Sequence, residues 1–328
     1  MINLYPKIKW NWGNISQWID WSFIRDNPKY PWVWSRVSQN ISVPWYVIEK
    51  YPELQWDKKA IAENLCVTLD IIIANKDDKR WRWSYKDLSG NPNVTLTYVK
   101  STIIDPANRT QIWASKDVQS RTRVVPIDEN EWDLKTRIVQ RWDWTKLSSN
   151  PTLTWNDIYL NMNLSDGFNY HLPWDWKMIS AHRSVSWISI YNNITGTDGS
   201  TIKVPWDSIY VSKNPNITID IIRLYPHGPL NNTWIWNMEA VCSKDDLTWQ
   251  MLCNSPSGLI GFDGQFIGQW HWGGFSANPN ININIVINNV HIPWDWKALS
   301  CNCAILLEDI VAHCDLPWDI SSLCCRKN

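Results

Sequence analysis

Trp142-Asp143-Trp144-Thr145-Lys146-Leu147-Ser148-Ser149-Asn150-Pro151-Thr152-Leu153-Thr154-Trp155-Asn156-Asp157-Ile158 is the stretch from which the rest of the chain can be read. Counted from Trp142, apolar residues fall at +5 (Leu147), +11 (Leu153), +13 (Trp155) and +16 (Ile158). Trp174 gives Ile179, Val185, Trp187 and Ile190 at the same offsets, and Trp32 gives Val37, Val43, Trp45 and Ile48. Trp56, Trp83, Trp206, Trp270 and Trp294 obey the same ruler. With small edits it also fits Trp10, Trp113 and Trp234, and Trp318 opens a truncated last unit. A fixed internal period is the mark of a repeat architecture. The expectation is one array over residues 1–328, of about 12 units, with no separate catalytic domain.

Within a unit, Trp-x-Trp and the +5 residue suit two helical turns. Pro173, Pro205, Pro293 and Pro317 stand before them, as proline suits a first helical position. Asp143, Asp175, Asp207, Asp295 and Asp319 then fall in the first turn, where the helix dipole favours negative charge. The dipeptides Asn91-Pro92, Asn150-Pro151, Asn214-Pro215 and Asn278-Pro279 end this helix, since a residue before proline leaves the α region. Thr154, Ser186, Thr218 and Thr248 read as N-caps of a second helix. Its buried face carries Trp155 with Ile158, and Trp187 with Ile190. Such short helices do not persist alone. The predicted fold is therefore all-α, an α-solenoid of stacked helix pairs. The alternation Asn282-Ile283-Asn284-Ile285 keeps a β-solenoid as the alternative.

Pro-Trp-Asp-Trp-Lys-Ala-Leu-Ser (293–300), the 142–155 stretch and Asn-Pro-Asn-Ile-Thr (214–218) resemble the Trp-rich repeats of mimivirus-like giant DNA viruses. The Leu-Ser-x-Asn-Pro core is more weakly similar to leucine-rich-variant repeats, which are short-helix superhelices. Neither resemblance implies an activity or a catalytic residue. The first implies a viral protein of the host cytoplasm or the virion.

Composition narrows the function classes. The 31 Lys+Arg and 32 Asp+Glu give a formal net charge of -1, against a uniformly basic nucleic-acid coat. No apolar run reaches bilayer length, and residues 1–7 do not read as a signal peptide, so the expectation is neither membrane-bound nor secreted. The sequons at Asn14, Asn93, Asn163, Asn193 and Asn216 are discounted, several being by-products of the repeat. The eight cysteines are expected to be reduced.

Of the 27 tryptophans, 24 hold repeat positions and are read as core; Trp18, Trp81 and Trp132 lie off it and are read as surface residues. Cys301, Cys303, His313, Cys314 and Cys325 are the zinc candidates, though no Cys-x2-Cys knuckle is present. Ser180 and Ser300 recur with the repeat and read as turn formers rather than nucleophiles. His171, His182 and His291 read as solvated loop residues, and Gly258, Gly261, Gly264 and Gly268 as a mobile loop. Lys79, Arg80, Arg82, Lys86, Arg121, Arg123, Lys135, Arg137 and Arg141 concentrate mid-chain, interleaved with Asp128, Glu129, Glu131 and Asp133. That mixture reads as a solvated face before a nucleic-acid track.

No acid, base or nucleophile constellation survives subtraction of the repeat. The expected function is a non-catalytic scaffold for a protein partner, without cofactor. The alternatives are a virion or assembly component, and single-stranded RNA binding through Trp81, Trp132 and the nearby arginines. The insertions 159–173, 191–205, 223–233 and 253–269 all leave the unit after its second helix and are the expected contact ridge.

Overall fold

A computed structural model describes residues 10–76, 78–81, 83–104, 141–162, 172–197, 203–231 and 234–323. The chain divides into two compact units, Met1–Trp174 and Asp175–Asn328. Each is built of short helices, and among the described residues the only strands are Leu259–Ile260 and Phe266–Gly268. The alternation at 282–285 is helical: Asn282 caps the helix Ile283–Asn288 by accepting from the Ile285 N–H.

Among the described residues, the first half holds five helix pairs, from Trp12–Trp18 with Trp21–Asp26 to Trp144–Leu147 with Trp155–Met162. The second holds five more, from Trp176–Ser180 with Trp187–Thr195 to Trp296–Cys301 with Leu307–Ala312, and then Ile320–Leu323. The +5, +11 and +16 side chains form the core: Val37, Val43 and Ile48 in one unit, Val211, Ile217 and Ile222 in another, are all 0% exposed. Burial of about three aliphatic side chains per unit is worth several kcal/mol, at about 1.5–3 kcal/mol each. That offsets the ordering of two helices too short to stand alone.

The prolines before the leading tryptophans do not open the helix. The aspartates cap it instead: Asp175 accepts from the N–H groups of Lys177 and Met178, and Asp207 from those of Ile209 and Tyr210. The carboxylate satisfies the free donors of the first turn, so the helix begins one residue after it. Proline stands two residues earlier, inside a tight turn closed from Trp174 N–H to Leu172 C=O at 2.8 Å. The same i to i+2 bond recurs at Trp32, Trp206, Trp294 and Trp318, with Pro31, Pro205, Pro293 and Pro317 at its centre. The φ that proline imposes suits this γ-turn. Second-helix caps stand as expected at Thr154, Ser186 and Thr218, whose hydroxyls accept from Asp157, Ser189 and Ile221 N–H groups. Thr248 occupies the cap position without a side-chain cap bond.

One unit runs on a different register from the sequence reading. Trp236, not Trp234, leads it: Val241, Leu247 and Leu252 then fall at +5, +11 and +16, and all are buried. The indole N–H of Trp236 donates to the C=O groups of Tyr225 and Pro226, at the end of the preceding second helix. Trp32, Trp56, Trp294 and Trp318 make the equivalent bond, to Asn27, Tyr51, Asn289 and His313.

Candidate functional site

The polar residues that recur with the period are consumed at the joints between units. A helix of four to six residues leaves most of its C-terminal carbonyls without an internal partner. The asparagine at +8 supplies one from the next unit. Asn214 Nδ2 donates to the carbonyls of Ser180, His182 and Val185, each at 3.1 Å. Asn278 does so to Cys242, Lys244 and Leu247, and Asn91 to Ala62, Asn64 and Val67. Its Oδ1 meanwhile accepts from its own turn, as Asn214 does from Asn216 N–H at 2.9 Å. Only an amide of this length both donates forward and accepts at home. The asparagine at +10 adds bonds to the same neighbour, Asn216 to Arg183 and Val185, and Asn280 to Asp245 and Leu247.

The serine at +6 is a second connector. Ser276 Oγ donates to Trp272 C=O within its own helix and accepts the Asp295 N–H of the next unit at 2.9 Å. Ser180 does the same between Trp176 and Asp207, and Ser300 between Trp296 and Asp319. These hydroxyls, buried with both functions occupied, are structural pins; Ser180 and Ser300 lie within the first helices of their units rather than forming the turns after them. The aromatic at +2 completes the joint, meeting the next leading indole edge-on: Trp34 with Trp56 at 5.2 Å, and Trp296 with Trp318 at 5.2 Å.

The unit led by Trp83 is joined by all three devices to the unit led by Trp142. Asp143 N–H donates to Ser89 Oγ at 2.8 Å, and Asn150 Nδ2 to Asn91 and Val94 carbonyls. Tyr85 lies 4.8 Å from the Trp142 ring. These two units are therefore immediate neighbours. The residues of the expected unit led by Trp113 lie outside the described ones.

Several side chains expected at the surface are placed elsewhere. Trp81 is 4% exposed and packs on Trp45 and Trp83 at 5.1 and 6.3 Å. It holds a core position two residues before the leading tryptophan, filled elsewhere by Leu172, Val204 and Trp234; the variety of side chains there hid it. Trp18 is half exposed, as expected, and Trp132 lies outside the described residues. His182 is buried, not solvated: it replaces the +8 asparagine, and its Nδ1 accepts the Ser184 N–H at 3.1 Å. His291 is exposed, and His171 lies outside the described residues.

The glycine-bearing insertion at 255–268 is an anchored hairpin rather than a mobile loop. Leu259 pairs with Gly268 and Ile260 with Phe266, with a bulge between them. Arg223 holds it from two sides: its C=O accepts the Phe262 N–H at 3.0 Å and its Nε donates to Ile260 C=O at 3.1 Å. The guanidinium also lies 4.1 Å from the centre of the Phe262 ring. A side chain at Gly274, on the helix after the hairpin, would meet the Glu239 carbonyl at 2.3 Å, so glycine permits that helix to close on Met238–Cys242.

Among the described residues no three His, Cys, Asp or Glu side chains are grouped to hold a metal ion. Cys301, Cys303 and Cys314 are exposed, His313 is half-buried, and Cys325 lies outside the described residues. Burial pushes the thiols of Cys66 and Cys242 up to about 11, so neither is a nucleophile at neutral pH. Of the mid-chain basic residues, Arg80 is held by the Asp78 carboxylate, which it keeps below the ordinary carboxylate range. Lys79, Lys86 and Arg141 are also described; Arg82, Arg121, Arg123, Lys135 and Arg137 are not. None of the described helices is long and apolar enough to cross a membrane.

Large apolar side chains also face outward. Leu224, Leu230, Ile235, Phe262 and Phe266, on the insertions either side of the Trp236 unit, are all more than half exposed. Leu230 holds φ 60°, a left-handed conformation unfavourable for leucine, while 61% exposed. In the first half, Trp18 at the end of its helix and Ile41 and Leu65 on helix–helix turns are exposed.

These features define a tryptophan-rich helical repeat chain whose polar period is spent on its own joints. No protein-family model matches it, and no curated protein or solved structure is similar to it.

Proposed function

We propose that the chain is a non-catalytic α-solenoid scaffold that binds a protein partner through the apolar side chains on its insertions. The observation that carries this reading is the strained, exposed Leu230 together with Leu224, Ile235, Phe262 and Phe266. Apolar groups held outward on anchored backbone, at a cost in folding free energy, are what a protein interface uses. The solenoid element rests on the rungs, the +8 side-chain amides that bond successive units within each half, with Lys244 standing in for the amide at the Trp236 unit. Giant-virus origin, host cytoplasm or virion as location, and absence of a cofactor belong to the same proposal, on the motif resemblance and the lack of an acid–base set. The RNA alternative loses support with Trp81 buried in the core.

The test replaces Leu224, Leu230 and Ile235 by serine, leaving Phe262 and Phe266 of the hairpin in place, and compares cross-linked partners from infected cells by mass spectrometry. The reading expects one reproducible protein to be lost while the melting transition is retained. An unchanged partner set rejects the insertion surface. Concentration-dependent self-association of the purified chain, lost in the variant, favours the virion or assembly alternative.

A further inference from the structure

The joint between the Trp206 and Trp236 units keeps the serine pin, Ser212 Oγ accepting the Asn237 N–H at 2.9 Å and donating to Ser208 C=O at 2.8 Å, but departs from the others at the recurring asparagine positions. Where Asn-Pro-Asn is the rule at +8 to +10, this unit has Lys244-Asp245-Asp246. Lys244 Nζ donates to Asn214 C=O at 2.9 Å, one bond where the asparagine rungs at Asn91 and Asn214 make three. An ammonium cannot accept, so the bond by which asparagine closes its own turn is lost as well. Asp246 accepts the Ile219 N–H at 2.6 Å, putting a second charged group into the joint.

The same joint carries an external strap. Arg223 ends the second helix of the Trp206 unit, and the hairpin it grips follows the second helix of the Trp236 unit. Besides the two Arg223 bonds and the stacking on Phe262, His227 Nε2 pairs with Gln265 Oε1 at 2.5 Å. The hairpin thus spans from one unit to the next across the outside of the joint whose internal rung is replaced.

We propose that this joint is a clasped hinge, the point at which the second half opens first, its lysine rung weakening it inside and the hairpin holding it closed outside. The reading is independent of whether the chain is a scaffold. Burial lowers the Lys244 ammonium to about 8, from 10.5 in a solvated chain. The charges that face it are Asp245 and Asp246 of its own turn, which act to raise it; the Trp206 unit offers the neutral Asn214 carbonyl, and the Trp270 unit donates to Lys244 C=O through the neutral Asn278 amide. The unfolded or opened chain therefore holds this proton more tightly than the closed joint. The resulting weakness is fully present below pH 8 and is relieved as pH rises from about 8 towards 10.5.

Amide hydrogen exchange followed by mass spectrometry, on the full chain at pH 7 and pH 9, tests it. The helix Met238–Cys242 should exchange at least tenfold faster than the helix Ser208–Ser212 at pH 7, after correction for intrinsic rates, and the difference should shrink at pH 9. Lys244→Asn should raise the melting temperature and abolish the pH dependence of that difference. Phe262→Ala should accelerate opening of the joint in the native background but much less in the Lys244→Asn background. Equal protection of the two helices, or a pH response unchanged by Lys244→Asn, overturns the hinge. If Phe262→Ala leaves the exchange of Met238–Cys242 unaltered, the clasp is overturned.

Discussion

The joint from Trp83 to Trp142 and the joint from Trp270 to Trp294 bridge very different lengths of chain. In the first, Asn150 reaches back 59 residues to Asn91; in the second, Asn302 reaches back 24 to Asn278. The bonds are nevertheless the same: a +8 amide on carbonyls of the unit before, a +6 hydroxyl on the N–H of the next cap, and a +2 aromatic against the next leading indole. What makes two units neighbours is the match of donors and acceptors, and chain length between them is secondary. Entropy agrees, because lengthening a loop costs only about 0.6 kcal/mol per doubling.

The equivalence can be broken hardest at the tryptophans. Trp142→Ala and Trp294→Ala should each cost about 3–5 kcal/mol, measured by chemical denaturation, because each empties a buried indole site. Trp18→Ala, half exposed, should cost about 1 kcal/mol or less. Equal losses at all three would refute the core assignment.

Asn91→Asp and Asn302→Asp come next. Each would turn a carboxylate towards carbonyl oxygens that need a donor, at about 3 kcal/mol or more near neutral pH. Acid should restore part of the loss, since protonation of the buried carboxylate supplies a donor. A larger loss at one site than at the other by more than about 1 kcal/mol would separate the two joints.

A smaller effect is expected from Ser89→Ala and Ser276→Ala. Each leaves a cap N–H, of Asp143 or of Asp295, without its acceptor, for about 1–2 kcal/mol. Exchange of those two amides, followed by NMR, should rise with the loss. The smallest change sharpens the comparison from the side of the chain: replacing residues 105–140 by a flexible link of about 12 residues should move stability by no more than about 1 kcal/mol. Loss of the cooperative transition would show that the Trp83–Trp142 joint depends on the excised residues.

The helical core was legible because its signal is local to each unit. Any one unit shows Ile179, Val185 and Ile190 on its ruler, and all three are fully buried. The joints were not legible, because an Asn-Pro turn reads identically whether or not the amide reaches another unit. Register between units is a tertiary fact, and only it turns Asn214 from a helix stop into a rung. Trp81 and Trp236 were misplaced for a related reason. The position two before the leading tryptophan accepts leucine, valine or tryptophan, so Trp234 reads as the leader although only Trp236 puts Val241, Leu247 and Leu252 on the ruler. The indole bond to Tyr225 and Pro226 decides between them. The apolar character of the insertions was underestimated, since Phe262, Phe266 and Leu230 sit among glycines and asparagines that read as polar loop.

Ser276 carries a consequence for how such a chain can grow. Its hydroxyl looks back to its own helix and forward to the next cap, as Ser180 and Ser300 do, so units that carry this serine offer one another the same edges. Units with such matched edges are interchangeable parts. A copy inserted by duplication between two of them, or one removed by deletion, meets compatible surfaces on both sides at once, without any second change elsewhere. Length then becomes a freely varying trait among such units, whereas the unit led by Trp56, with Ala62 in place of the serine, and the unit led by Trp236, with Lys244 in place of the asparagine, do not match the common form.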